Sequence, residues 1–445
     1  MNQPDATTPS RKPSRREFLA RSTAAATGAA LAGGLDLGRT AHAAGSDLIK
    51  IALIGCGGRG TGAAANALQN VAHPNVKLVA LADAFTGRME NCLKALKTRC
   101  GDRVDVAPER MFADLDGYQK AIDCDVDVVL MCSPPGFRPM QFEAAVKAGK
   151  QIFMEKPVAV DAPGVRRILA ANEEAKKKGL AVAVGHHLRH EVKHREVIQR
   201  IHDGMIGPVK FMRAYFNSSG VWVRPRRPEH TEMQYQVENW YYFTWLSGDH
   251  IVEQHVHDLD VMNWIARAVP AEAQGMGGRQ VRIGPEYGEI FDHHAVEFTY
   301  ADGTKMFSQC RHIPNCWNSF SEYAHGTKGY AGIIGHGSGE IGLYGKEPTV
   351  WERGPDGHQV EQDDFFAAIV AGSSYNEGDY GATSTMTAIL GRMASYSGKV
   401  VPWDEAMKSE LDLSPKSYTW DAEAPVKPGA DGLFACAMPG VTKAW

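Results

Sequence analysis

The sequence has no C-x-x-C pair, no long apolar run, no block of like charge and no repeat period. Its eight cysteines, Cys56, Cys92, Cys100, Cys124, Cys132, Cys310, Cys316 and Cys436, are scattered. That spacing excludes a zinc ribbon, a dithiol redox motif and a dense disulfide framework. Cys56 and Cys132 fall where small buried thiols fit; an oxidising compartment would permit a Cys310–Cys316 bridge, though a protein that folds before export has less need of one. The most apolar N-terminal stretch, 20–34, is broken by Thr and Gly and followed by Asp36. It falls short of the ~20 residues a membrane span needs. Lys and Arg number 48 against 52 Asp and Glu, a formal charge of −4. A balance this even argues against nucleic acid or an anionic membrane as partner. The hydrophobic fraction of 44% is ordinary for a globular chain.

Against those absences, residues 49–62 stand out. The apolar run Ile49-Lys-Ile-Ala-Leu-Ile54 ends in Gly55-x-Gly57-x-x-Gly60, and a small-residue stretch follows from Ala63. This reads as strand, tight turn and helix start. Gly55 can take the turn's unusual dihedrals. Gly57 and Gly58 let a pyrophosphate approach the backbone, Gly60 lets helix and strand close up, and Arg59 lies within the turn. The helix N-terminus offers free N–H groups to phosphate. A second strand, 76–82, ends at Asp83, whose carboxylate can accept the ribose hydroxyls of NAD and would repel a 2′-phosphate. The expected cofactor is therefore NAD rather than NADP.

The N-terminus carries an address. Ser14-Arg15-Arg16-Glu17-Phe18-Leu19 precedes the mild apolar stretch, and Ala41-His42-Ala43 offers a peptidase site. That order is a secretory signal of the twin-arginine type, with cleavage expected after Ala43 and a periplasmic or otherwise exported product. This route carries folded proteins, which suits an enzyme that must take up a dinucleotide made in the cytoplasm.

From 48 to 187 strand and helix patterns alternate, as in a parallel sheet with crossover helices. The strands at 127–132 and 151–154 end at Ser133 and at Glu155-Lys156-Pro157, and helices are expected at 86–97 and 165–178. From 188 to 412 strands dominate, at 209–216, 273–282, 294–300 and 305–311, with shorter runs near 329–334 and 349–352. Helices at 256–266 and 383–397 interrupt them. The fold class expected is an α/β Rossmann domain (48–187) followed by an α+β domain (188–412) with a large, mostly antiparallel open sheet. The signal occupies 1–43, and 413–445, rich in proline, is an irregular tail.

In order, the glycine turn, Asp83, Glu155-Lys156-Pro157, Gly204-Met-Ile-Gly207-Pro-Val209 and His257-x-x-Asp260-x-x-x-Trp264 resemble the Gfo/Idh/MocA oxidoreductases. That group contains glucose–fructose oxidoreductase and inositol 2-dehydrogenase, and the resemblance covers roughly 48–400. It implies cofactor contacts from Gly55 to Gly60, Asp83, Ser133, Glu155 and Lys156. It implies Lys156 and His257 as catalytic groups, a cis peptide before Pro157, and a homodimer or homotetramer joined through the open sheet. In relatives the segment before the histidine resembles G-G-x-L-x-D-x-G-x-H; here Glu253 replaces the Asp and His255 the last Gly. On one helix Glu253 and His257 would share a face, so Glu253 is a third catalytic candidate.

Hydride transfer from a secondary alcohol needs an acceptor for the hydroxyl proton. A histidine with a near-neutral pKa suits that task, and Lys156 can hydrogen-bond the reacting oxygen. The segment 221–245 is rich in Trp, Tyr and Arg, including Trp240, which suits stacking on a sugar. Arg189, Trp240, His255 and Asp260 are the substrate candidates. His250, Glu253, His255, His257 and Asp258 also admit a divalent metal. A second group is His186, His187, His190 and His194. Both are read as polar pocket lining, with no metal expected. The function expected is an NAD-dependent oxidoreductase acting on a sugar or cyclitol hydroxyl. An NAD-dependent glycoside hydrolase and a non-catalytic sugar-binding protein are the alternatives.

Overall fold

The computed structural model describes residues 48–335 and 337–445. The signal read at 1–43 lies outside them. Six strands form the first sheet: β1 Ile49–Ile54, β2 Val76–Asp83, β3 Met111–Ala113, β4 Val128–Met131, β5 Gln151–Met154 and β6 Val182–Val184. Their order is β3-β2-β1-β4-β5-β6, all parallel. β1, β2 and β4 to β6 are almost wholly buried, which is why they read as unbroken apolar runs rather than alternating ones. The order reverses between β1 and β4, and the crevice at their carboxyl ends is where such sheets take ligands.

Nine strands form the second sheet: β7 Val209–Ser218, β8 Glu272–Gly278, β9 His293–Thr299, β10 Lys305–His312, β11 Ser319–Gly326, β12 Gly329–Ile334, β13 Gly339–Leu343, β14 Thr349–Trp351 and β15 Val401–Pro402. The order is β14-β13-β12-β11-β7-β10-β9-β8-β15. Only β7 and β10 pair in parallel; the other neighbours are antiparallel. Helices Val256–Ala266 and Gly378–Ser397 cover one face. Met212, Ala214, Met306 and Phe298 point into that core, while Phe211 and Phe307 stand exposed on the other face.

Several elements differ from the sequence reading. β11, β13 and helix Gly357–Ala371 carry no expectation there, and the aromatic segment 221–245 contains helix Glu232–Glu238. Helix Ala162–Lys177 starts three residues before the expected 165, because Asp161 caps it by accepting from Gly164 N at 2.7 Å. All eight cysteines are free: Cys310 is buried in the sheet and Cys316 exposed in the following loop, so the 310–316 bridge is not formed. The single helix expected to carry both Glu253 and His257 is two, His250–Glu253 and Val256–Ala266. Among the described residues no helix is long and apolar enough to cross a membrane.

Candidate active site

The glycine turn is built for close approach. Gly55 has φ +92°, and a Cβ there would lie 2.4 Å from Ser133 N; at Gly60 a Cβ would lie 1.9 Å from Gly55 O. These two glycines are demanded by the fold itself. Gly57 and Gly58 are not: a Cβ at either meets no protein atom within 4 Å. Their bareness faces open space at the N-terminus of helix Gly58–Leu68, the room a pyrophosphate requires. Asp83 accepts from Cys56 N at 2.7 Å and from Phe85 N at 2.9 Å, so its carboxylate holds the turn as well as facing the cleft. Burial pushes its pKa up, against the pull of Arg88.

The cleft has a volume of about 530 Å³. Gly55 to Gly60, Asp83, Phe85, Ser133 and Phe137 line it from the first sheet; Trp222, Arg224, Val237 and Trp240 line it from the aromatic segment. An NAD molecule fits this donor set: bare glycine N–H groups for the phosphates, a carboxylate at the ribose position and aromatic faces for the rings. Trp222 and Arg224 were not singled out by residue chemistry alone, since tryptophan and arginine recur through that segment.

Glu155 and Lys156 stand beyond the cleft lining, at the end of β5. Lys156–Pro157 is cis. Glu155 is buried and bound by Arg59 Nε at 2.5 Å, and Arg59 Nη2 also reaches Glu361 at 3.3 Å. The net effect of that pairing, against desolvation, holds Glu155 below the usual carboxylate range. Glu155 therefore braces the glycine turn through Arg59.

Lys156 Nζ donates to the Glu253 carboxylate at 3.0 Å and to the Glu253 carbonyl. Both side chains are 10% exposed. Burial raises the Glu253 pKa, with Lys156 pulling the other way. His257 is buried, and its Nδ1 has no protein partner. Its ring lies edge-on to His187, centroids 4.7 Å apart, and to His186 at 6.0 Å. Desolvation first, then the Lys156 charge, push its pKa well below the ordinary imidazole range, so its neutral form dominates at pH 7. His187 stacks on His358 at 3.9 Å. The constellation is a lysine donor, a carboxylate and a neutral imidazole at the carboxyl end of a parallel strand.

Of the substrate candidates, only Trp240 lines the cleft. Arg189 and Asp260 bind each other through two bonds of 2.8 and 2.9 Å, and Ser384 Oγ adds a third donor to Asp260 at 2.7 Å. Asp260 Oδ2 also lies 3.7 Å from His186 Nδ1, so the pair backs the ring beside His257. His255 is fully buried; its ring nitrogens meet Asp258 at 3.1 Å and Ser308 at 2.7 Å, away from the cleft. The second histidine group divides. His186 and His187 join His257. His190 meets Asp364 and Glu377, and His194 meets Glu191.

Residues 49–186 match the family profile described as "Oxidoreductase family, NAD-binding Rossmann fold" (GFO_IDH_MocA). The chain is similar to 1,5-anhydro-D-fructose reductase of Ensifer adhaerens, 28% identical over 42% of this chain and 54% of that protein. It is also similar to inositol 2-dehydrogenase of Rhizobium meliloti (strain 1021), 25% identical over 57% of this chain and 67% of that one. The matches thus span about half to two thirds of these relatives. A structure of levoglucosan dehydrogenase in complex with NADH and levoglucosan superposes on 80% of this chain and 99% of its own, with TM-score 0.64 at 16% identity. That likeness is one of fold.

Proposed function

We propose, for a chain whose residues 49–186 form an NAD-binding Rossmann domain of the Gfo/Idh/MocA oxidoreductase family, that it oxidises or reduces a secondary alcohol of a sugar, cyclitol or sugar derivative. The observation that carries this reading is the Lys156 Nζ–Glu253 carboxylate pair at the end of β5, with the neutral ring of His257 near enough to feel the lysine charge. Bound NAD supplies the hydride acceptor. In oxidation the hydride leaves the carbinol carbon, the hydroxyl proton passes to His257, and a carbonyl remains. Lys156 donates to the reacting oxygen and stabilises its developing negative charge. Glu253 holds the lysine in place. Burial of His257 keeps it unprotonated, and makes it a weaker base than the near-neutral imidazole the sequence suggests.

The reading extends to an exported protein that retains its NAD through repeated turnovers, supported by the Arg15-Arg16 segment. It extends also to a homo-oligomer, supported by Phe211, Phe307, Met276 and Trp317, all exposed on or beside the open sheet face. A panel of sugars and cyclitols with NAD tests the chemistry. Lys156→Ala and His257→Asn are expected to lose about 10²- to 10⁴-fold in kcat while still binding NAD. The acid limb of kcat/KM should fall below pH ~6.5, the ordinary imidazole value. Unchanged turnover in both variants would overturn the assignment, and glycoside cleavage without net NADH would move it to the hydrolase reading.

A further inference from the structure

Behind Glu253 lies a second constellation that the proposed reaction does not use. Asp249, His250 and His294 come from three places: the turn after Gly248, the first residue of helix His250–Glu253, and β9. All three are buried, and one ligand-capable atom from each lies within 4.8 Å of the others. This differs from the metal set that the histidine-rich segment suggests, because His255 and His257 turn elsewhere.

Hydrogen bonds hold two of the three ligands in place. Ser395 Oγ lies 3.0 Å from Gly391 O and 3.1 Å from Arg392 O. It also pairs with His294 Nδ1, 2.8 Å away. The other ring nitrogen of His294, Nε2, faces Asp249 Oδ2 at 3.3 Å. His250 is fully buried, neither ring nitrogen has a protein partner, and Nε2 is 3.9 Å from Asp249 Oδ1. Buried polar groups left without partners are costly, which a bound ion would relieve. Phe291 N and Tyr396 Oη, at 2.9 and 2.6 Å, fix the carboxylate in its orientation. Arg282 donates to His312 Nδ1 at 2.7 Å, which puts the hydrogen of neutral His312 on Nε2 and leaves that ring outside the set.

Bonds of about 2.0–2.1 Å to nitrogen and oxygen give a tetrahedral ion ligand separations of about 3.3 Å. The His294 Nε2–Asp249 Oδ2 separation is 3.3 Å and the His250 Nε2–Asp249 Oδ1 separation 3.9 Å, so the carboxylate offers one oxygen to the side of each ring. We propose that Asp249, His250 and His294 bind a first-row divalent cation of the zinc class, with Ser395 and Tyr396 as the outer partners that orient two of the three ligands. The ion is structural. It pins the first residue of the helix whose last residue, Glu253, holds Lys156.

Untagged mature protein, expressed with zinc supplied and dialysed against a weak chelator, is expected to retain about one zinc per chain by elemental mass spectrometry. His250→Ala and His294→Gln should lose it, Ser395→Ala should weaken zinc affinity about 10- to 100-fold, and His293→Ala, next on the same strand, should keep it. Less than a tenth of that zinc in the wild type, with no uptake of added stoichiometric zinc, overturns the proposal. Equal zinc in wild type and His250→Ala does the same. Should the variants fail to fold, anomalous diffraction from wild-type crystals at the zinc edge decides: a peak between the three side chains supports the site, and no peak there rejects it.

Discussion

At the scale of single residues, the four turn glycines separate into two kinds, and substitution tells them apart. Gly57 has φ −72°, a conformation open to any residue, and a Cβ there meets no protein atom. Gly57→Ala should therefore melt within a degree or so of wild type yet lose NAD, as read by cofactor content and by titration. Gly60→Ala drives a Cβ into Gly55 O and should cost several kcal/mol, about 3 or more as for other overpacked backbone contacts. Both glycines look alike in the sequence motif; only the packing distinguishes a glycine kept for a ligand from one kept for the fold. A second residue-scale effect is acid sensitivity. Burial holds the His255 pKa at about 3, against ~6.5 in an unfolded chain. A depressed histidine pKa contributes stability above the unfolded value and loses it as pH falls from ~6.5 toward 3, at about 1.4 kcal/mol per pH unit. His190, raised to about 9 by Asp364 and Glu377 against the pull of burial, acts oppositely: its contribution is full below ~6.5 and fades as pH climbs toward 9. Melting temperatures from pH 7 to 4 should fall in wild type and fall less steeply in His255→Gln.

At the scale of elements, what the sequence revealed followed how each element is buried. The long parallel strands were legible because two-sided burial makes them continuous apolar runs, whereas the three-residue, part-exposed β3 carries no such run and was not. Helix Val256–Ala266 was legible at both ends. Helix Gly357–Ala371 was not, because it is wedged between the glycine-turn helix and the His187 turn and buries Glu361 and Gln362 beside Phe365 and Phe366. Its pattern shows no single apolar stripe to read. Yet it delivers His358 to His187 and Glu361 to Arg59. The break between Glu253 and His257 was hidden for another reason: at the junction His255 N bonds His250 O, five residues back, and His257 N bonds Gln254 O, three back, an irregularity of the ladder that no side-chain pattern announces. Asp161 gives an element-scale prediction. Its Oδ1 caps helix Ala162–Lys177 and its Oδ2 accepts from Leu413 N at 2.9 Å, tying the helix to the tail. Asp161→Ala should destabilise the protein by about 1–2 kcal/mol in denaturant melts, and Asp161→Asn by less, since one carbonyl oxygen still caps.

At the scale of the whole molecule, the tail beyond residue 412 matters more than its irregular sequence suggests. It packs with the rim of the cofactor cleft in one apolar cluster. Trp420 meets Phe85 at 5.6 Å and Tyr418 meets Phe137 at 5.5 Å, and both phenylalanines line the cleft from the first sheet. Further along, Val426 O accepts from Gln236 at 2.6 Å and Phe434 packs on Phe243 at 5.1 Å, in the segment that supplies Val237 and Trp240 to the opposite wall. One strap thus fastens both walls. Loosening the strap is expected to loosen the two walls between which NAD would lie. Trp420→Ala removes only a half-buried ring at the strap's edge, so the fold should persist. The expected result is a faster release of NAD, about tenfold for the roughly 1.4 kcal/mol that an aromatic pair and its partial burial supply. Gel filtration followed by cofactor assay, with competition against labelled NAD for the rate, measures it. If Trp420→Ala releases NAD no faster than wild type, the strap does not govern exchange.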